Sequence, residues 1–178
     1  MKIGVLSDTH MKGPDELLDR ILDDIFQETD LILHAGDIVS LSVLQRLEEK
    51  KALAVCGNMD DFQVAGILPQ TRIIEVESRQ IGIVHGWGSK DGLRERILLR
   101  FERQSPDIII YGHSHAPFWG EVGGVMMFNP GSASHNMFSD DCTVGILEIQ
   151  NDRVDTEIIK VSTKNIKRSY NPQTLIVF

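Results

Sequence analysis

Lys2-Ile3-Gly4-Val5-Leu6-Ser7-Asp8-Thr9-His10 states the pattern on which the chain is built: a short apolar run, then a polar turn carrying a carboxylate and an imidazole. Ile3 to Leu6 reads as a buried strand. The pattern returns at Leu31 to Ala35, which leads into Gly36-Asp37, and at Ala52 to Cys56, which leads into Gly57-Asn58. Helical stripes lie between the runs. Leu17, Leu18, Ile21, Leu22 and Ile25 oppose Asp19, Arg20, Asp23 and Asp24. In the Gly13-Pro14-Asp15-Glu16 start, proline fits the first turn and the acids face the positive end of the helix dipole. Leu41, Val43, Leu44 and Leu47 form a second stripe, with Ser40 placed to cap it. This βαβαβ order predicts right-handed crossovers and a largely parallel sheet, with ligands gathered at the carboxyl ends of the strands. Asp8, Asp37 and Asn58 each sit just past such an end.

From Thr71 the pattern changes. Thr71 to Val76 and Ile81 to Val84 read as strands joined around Glu77-Ser78-Arg79-Gln80. A helix from about Gly92 to Gln104 carries Leu93, Ile97, Leu98 and Phe101, and Asp107 to Tyr111 is a further buried strand. Phe118 to Val122, Val125 to Phe128, Thr143 to Ile149 and Val154 to Val161 follow, with Gly123-Gly124 and Asn151-Asp152 as tight turns. This half predicts a mixed or antiparallel sheet packed on the first. With no repeat, low-complexity stretch or linker, residues 1–178 are expected to form one domain. The tail 163–178 ends in Leu175-Ile176-Val177-Phe178, either an extra edge strand or a contact in a homo-oligomer.

Composition narrows the function classes. A formal net charge of −8 argues against sequence-independent binding to nucleic acid or to anionic membranes. It leaves room for a small phosphate ester, because bound divalent cations would invert the local field. Cys56 and Cys142 are the only cysteines, with neither Cys-x-x-Cys spacing nor a disulfide framework. Cys56, at the end of an apolar run, is expected to be a buried reduced thiol. No apolar stretch matches a signal peptide or a membrane span, so the expected compartment is the cytoplasm.

Seven residues in five clusters carry the chemistry: Asp8, His10, Asp37, Asn58, His85, His113 and His115. Taken singly, Asp37 reads as a helix cap, Asn58 as a turn residue and His85 as a core histidine. Two imidazoles in Gly112-His113-Ser114-His115, just after a buried strand, are harder to explain by packing. Asp8-x-His10 puts two donors on the same side of an extended segment. Oxygen and nitrogen donors converging from several strand ends are what a binuclear metal site requires.

In their order, Asp8-x-His10, Gly36-Asp37, Gly57-Asn58, His85-Gly86 and Gly112-His113-Ser114-His115 resemble the calcineurin-like metallophosphoesterase superfamily. The short length and Asn129-Pro130-Gly131-Ser132 resemble its small bacterial and archaeal phosphodiesterase branch, over roughly residues 1–161. The resemblance implies a four-layer α/β/β/α sandwich of two mixed sheets flanked by helices. It implies two divalent cations, the first on Asp8, His10 and His115, the second on Asn58, His85 and His113, and the Asp37 carboxylate bridging them. Manganese is the expected ion, with iron, zinc or nickel also suited to the donor set. The implied reaction is hydrolysis of a small phosphodiester, a hydroxide shared by the two cations attacking in line, with Asp37, Asn58 and His85 at its centre.

Several positions depart from the family pattern. Many relatives carry a histidine directly after the motif asparagine; Met59 stands there and can neither donate a proton nor stabilise an oxyanion. That suits a diesterase acting on esters with reasonable leaving groups, and disfavours the runner-up, a phosphomonoesterase or nucleotidase. Asp60 is a candidate to orient a ligand or to cap the turn. Trp87 is placed to stack on an aromatic leaving group or base, core packing being the commoner use of such a residue. His135 is a candidate phosphate or leaving-group contact. His34, inside a strand, is expected to be a hydrogen-bonded core histidine. The retromer scaffold subunit resembles the same family with altered metal motifs; retention of every ligand-type residue here argues against a scaffold-only role.

Overall fold

Alternation along the strands sorts the apolar side chains into three separate cores, and three cores require four layers. In β1 (Lys2–Leu6), Ile3 and Val5 point one way and Leu6 the other. The computed structural model describes residues 1–134, 142–151, 153–161, 166–169 and 175–176. After β1 come α1 (Glu16–Asp19), which continues as a π-helical stretch (Arg20–Ile25), β2 (Leu31–His34), α2 (Leu41–Glu49), β3 (Leu53–Ala54) and α3 (Phe62–Ile67). Next are β4 (Thr71–Val76), β5 (Arg79–Val84), α4 (Leu93–Arg100), β6 (Ile108–Tyr111), β7 (Phe118–Val122) and β8 (Val125–Asn129). The chain closes with β9 (Cys142–Gln150), β10 (Arg153–Val161), β11 (Ile166–Ser169) and β12 (Leu175–Ile176).

The first sheet runs β11-β10-β9-β1-β2-β3, with β12 also paired to β10; β1, β2 and β3 are parallel and β9 is antiparallel to β1. The second runs β4-β5-β6-β8-β7, parallel across β5, β6 and β8 and antiparallel at both edges. Leu18, Ile21, Val43 and Leu47 cover the outer face of the first sheet. Ile3, Val5, Leu33 and Leu147 meet Ile81, Ile83, Ile110 and Phe128 between the sheets. Leu93 and Ile97 of α4, with Phe101 just past its end, cover Val84, Ile109 and Tyr111 on the far face. The result is the α/β/β/α sandwich. Phe128, fully buried, meets Trp119 edge to face at 5.8 Å, and its truncation to alanine would cost about 3–5 kcal/mol.

Three local expectations need correction, and one helix, α3, goes unread. The β9–β10 hairpin joins the first sheet rather than the second, because β9 buries Val144 and Ile146 toward the helices and Leu147 and Ile149 toward the other sheet. A strand apolar on both faces belongs in a sheet interior. Asp15, not the proline, starts the first helix: its carboxylate accepts from the Leu18 amide at 3.0 Å, and Pro14 precedes the cap. Ser40 occupies the cap position of α2, but its hydroxyl meets Ser42 Oγ instead of a helix amide. Helix α3 carries no readable stripe because Val64 is its one buried residue. Asp152 of the expected turn, and residues 163–165, 170–174 and 177–178 of the tail, lie outside the described residues.

Candidate metal centre

The turns that follow β1, β2, β3, β5 and β6 meet where the two sheets adjoin, and glycines set how closely. A Cβ on Gly57 would overlap Asp37, one on Gly112 would overlap Ser7 Oγ, and one on Gly36 would lie 2.7 Å from His85 Cβ. Each motif glycine thus clears space for a donor arriving from another strand. The donors sit on unusual backbone: Asp8, His10, Asp37, His113 and His115 have φ of 55°, 48°, 60°, 67° and 59°. Left-handed conformations cost on the order of 1–3 kcal/mol each and persist where the surroundings over-determine them.

Those surroundings can be named. The Asp8 carbonyl accepts from both Ser132 Oγ and Ser134 Oγ at 3.0 Å, and the Ala133 amide donates to Ser7 O at 2.9 Å. Asn129 Nδ2 donates to Gly112 O at 2.9 Å and to Ser114 Oγ at 3.0 Å. The segment after β8 therefore braces the Asp8 turn of one sheet and the His113 turn of the other. Asp60 ties the β2 and β3 turns together, accepting from the Val39 amide at 2.6 Å and the Gly57 amide at 2.7 Å. Asn129, Ser132 and Ser134 carried no assigned role in the sequence reading. The Asn129-Pro130-Gly131-Ser132 motif marks the segment, but what its side chains brace is set by partners elsewhere in the chain, which no local pattern announces.

The inner donors each have one atom anchored and one left over. Asp8 Oδ2 accepts from Ser7 Oγ at 2.5 Å and the His113 amide at 3.1 Å, while Oδ1 is buried with no hydrogen-bond partner. Asp37 Oδ1 accepts from the Met59 amide at 2.7 Å; Oδ2 lies 3.1 Å from His85 Nε2 and 3.7 Å from His10 Nε2. His85 Nδ1 meets Ala35 O at 2.8 Å, where it must donate, and Nε2 is buried without a hydrogen bond. His10 Nε2 and His115 Nε2 approach within 3.2 Å, and His115 Nε2 lies 3.1 Å from Asp8 Oδ1. Asp8, His10 and His115 form one group and Asp8, Asp37 and His85 another, with ligand atoms within 4.8 Å of each other in each. Buried donors left unpaired are costly. Converging on shared points, they fit divalent cations.

Asn58 and His113 are placed differently. The His113 ring meets Asn58 Oδ1 at 2.9 Å and Gly88 O at 2.8 Å, and stands edge-on to His85 at 5.3 Å between centroids. Trp87 is not packed in the core: 43% of it is exposed. Cys56 is a free thiol, half-buried rather than buried. His135 lies outside the described residues.

Charge follows the same geometry. Burial alone would raise the Asp8 carboxyl, but His10, His115, His85 and the Ser7 hydroxyl outweigh it and hold Asp8 well below the usual carboxylate range. Burial also works against Asp37, which His85 and the Met59 amide bring down. Asp8 raises His10, and Asp37 with Asp8 raises His85 against its own burial. His34 is the core histidine expected: burial pushes it down to about 3. Its Nδ1 accepts from the Gly36 amide at 3.1 Å, so Nε2–H donates to Thr9 Oγ1 at 3.2 Å, and Thr9 donates on to Asp37 O at 3.2 Å.

Residues 1–152 match the calcineurin-like phosphoesterase superfamily domain, and the chain belongs to that family. It is 35% identical to a probable metallophosphoesterase of Methanothermobacter thermautotrophicus, over 96% of this chain and 98% of that one. A phosphodiesterase of Methanocaldococcus jannaschii is 29% identical over 84% and 94%. Among solved structures, zinc-complexed Vps29 of Entamoeba histolytica superposes with a TM-score of 0.73 at 25% identity, covering 96% of this chain and 98% of that one. Among the described residues no helix is long and apolar enough to cross a membrane.

Proposed function

We propose that this chain is a metal-dependent phosphodiesterase acting on a small ester. One observation carries the reading: Asp8 Oδ1 and His85 Nε2 are buried, unpartnered and crowded by His115 and Asp37, an arrangement a binding-only use of the fold has no need to maintain. Asp8, His10 and His115 would hold one cation, Asn58, His85 and His113 the other, and Asp37 would contact both. Manganese is the ion we favour for the oxygen donors of this mixed set, and zinc, which the Entamoeba protein is complexed with, suits imidazoles. Bound there, two divalent cations would acidify a water and neutralise charge on the phosphoryl oxygens.

The protein's own contribution is to hold these donors in a reactive state. Donation from His85 Nδ1 to Ala35 O leaves Nε2 as the lone-pair face directed inward. The Ser7 hydroxyl and His113 amide occupy one oxygen of Asp8, and the Met59 amide one oxygen of Asp37, so each carboxylate presents the other. Asp60 keeps Asn58 in range by holding Gly57 to Val39. Met59, 57% exposed beside Asn58, offers no proton to a leaving group, which favours diesters with stable leaving groups over monoesters. The test compares bis(4-nitrophenyl) phosphate with 4-nitrophenyl phosphate, with manganese and with chelator. Metal-dependent turnover strongly favouring the diester is expected; equal or faster monoester hydrolysis would reverse the choice of class.

A further inference from the structure

Asn58 and His85 have a second role as walls of a pocket of about 220 Å³, completed by Cys56, Gln70, Trp87 and Arg100. It opens beside the metal donors, yet the contacts described so far use nothing in its outer wall. Trp87 follows His85 by two residues and leaves 43% of its surface open. An exposed indole is a flat apolar face with no partner of its own. Arg100 and Gln70 are likewise exposed, and neither side chain is engaged in any hydrogen bond or ion pair among the described residues. A guanidinium has five donors and no acceptor, and its plane stacks on aromatic rings. The volume falls below the roughly 300–1,000 Å³ that accommodates drug-sized ligands, which points to a single ring system.

We propose that this pocket receives the organic group of the ester, and that it selects a nucleobase: a planar ring with acceptor atoms on its edge. The proposal rests on the phosphoesterase reading of the metal centre and adds the substrate class. Trp87 supplies the stacking face, a sequence-tolerant way to hold any base. Arg100 donates to ring carbonyls, and Gln70 both donates and accepts. The phosphate lies toward Asn58 and His85, so one small molecule spans both sites. A polymer is disfavoured by the net charge of −8, which repels an extended phosphate backbone outside the metal centre.

The experiment measures binding of uridine 5′-monophosphate and of ribose 5-phosphate to the manganese-loaded protein by titration calorimetry. The two ligands share the phosphate and sugar and differ by the base. The nucleotide is expected to bind about tenfold tighter, which falls within the range that base stacking on an aromatic ring provides. Trp87→Ala should erase that difference with ribose 5-phosphate binding unchanged, Trp87→Phe should restore most of it, and Arg100→Gln should narrow it. Equal binding of the two ligands by wild type overturns the proposal, as does binding of neither, or a Trp87→Ala variant that weakens both alike. Hydrolysis of bis(4-nitrophenyl) phosphate on the same preparations separates the two readings. Turnover without a base preference removes the pocket and leaves the reaction, whereas a base preference without turnover removes the reaction and leaves the pocket.

Discussion

The inner and outer halves of the candidate metal centre are prepared in opposite ways. Asp8, Asp37 and His85 are buried, each anchored by one atom, with Asp8 Oδ1 and His85 Nε2 left without a hydrogen bond. Asn58 and His113, nearer the surface, already have protein partners: Asn58 Oδ1 and Gly88 O flank the two ring nitrogens of His113, and an imidazole N–H donates to one of them. A cation entering the inner half relieves buried, unpaired donors. One entering the outer half must first replace protein hydrogen bonds worth on the order of 1 kcal/mol each. The difference teaches that similar ligand residues need not give similar affinities: what each donor does without metal sets the starting level.

The largest effect should come from Asp37, the residue that would contact both cations. Asp37→Asn halves the charge offered to two cations and should lower turnover at least a hundredfold, on the order of 2.7 kcal/mol. Near-native turnover of that variant with both cations bound would break the assignment. Stability offers the next test. Manganese at about a hundredfold excess over its dissociation constant should stabilise the fold by about 2.7 kcal/mol. In melting curves His85→Ala, which removes an unpaired donor, should lose more of that gain than His113→Ala, which removes one already in contact with Asn58 and Gly88; equal losses would abolish the distinction between halves. His10 and His85 are raised by their carboxylate partners, so their ion pairs stabilise the metal-free fold below about pH 6.5 and are lost as pH rises through the raised values. Protons compete for the same lone pairs, and the manganese gain should shrink as pH falls from about 7 to 5.

His34 sharpens the comparison from the core side, since it carries the opposite sign. Its folded value, near 3, lies below the unfolded one, so folding resists protonation and stability is lost as pH falls from about 6.5 toward 3. The slope approaches about 1.4 kcal/mol per pH unit well below the unfolded value, which makes roughly 1.5 kcal/mol between pH 6.5 and 5. Urea denaturation of His34→Gln should begin from lower stability at pH 7 and fall less steeply toward pH 5; an unchanged slope would remove His34 as the cause. The smallest effect should be at Asp60. Asn there keeps one acceptor and turns an N–H toward another N–H, which should cost about 1 kcal/mol of stability and only a few-fold in rate. A loss as large as that of Asp37→Asn would move Asp60 from holding the turns to holding a cation.

The donors themselves were legible because strand ends are local. An apolar run followed by Gly36-Asp37 or Gly112-His113 announces a turn and a donor together, and five such runs in order carry the family likeness. The alternation of Ile3 and Val5 against Leu6 likewise encodes which residues share a face, since side chains alternate in any strand. Which strands become neighbours is not encoded that way. The β9–β10 hairpin could pair with either sheet on its own pattern, and only competition between distant partners places it beside β1. The same limit hides the left-handed backbone at Asp8 and His113 and the serine and asparagine side chains that stabilise it. The serine contacts join residues more than a hundred positions apart in different sheets and exist only once both sheets have packed, while Asn129 reaches Gly112 across neighbouring strands of one sheet. The sequence by itself determined the layers and the donors; tertiary structure decided which donor atoms are anchored, which are left unpaired, and what stands around them.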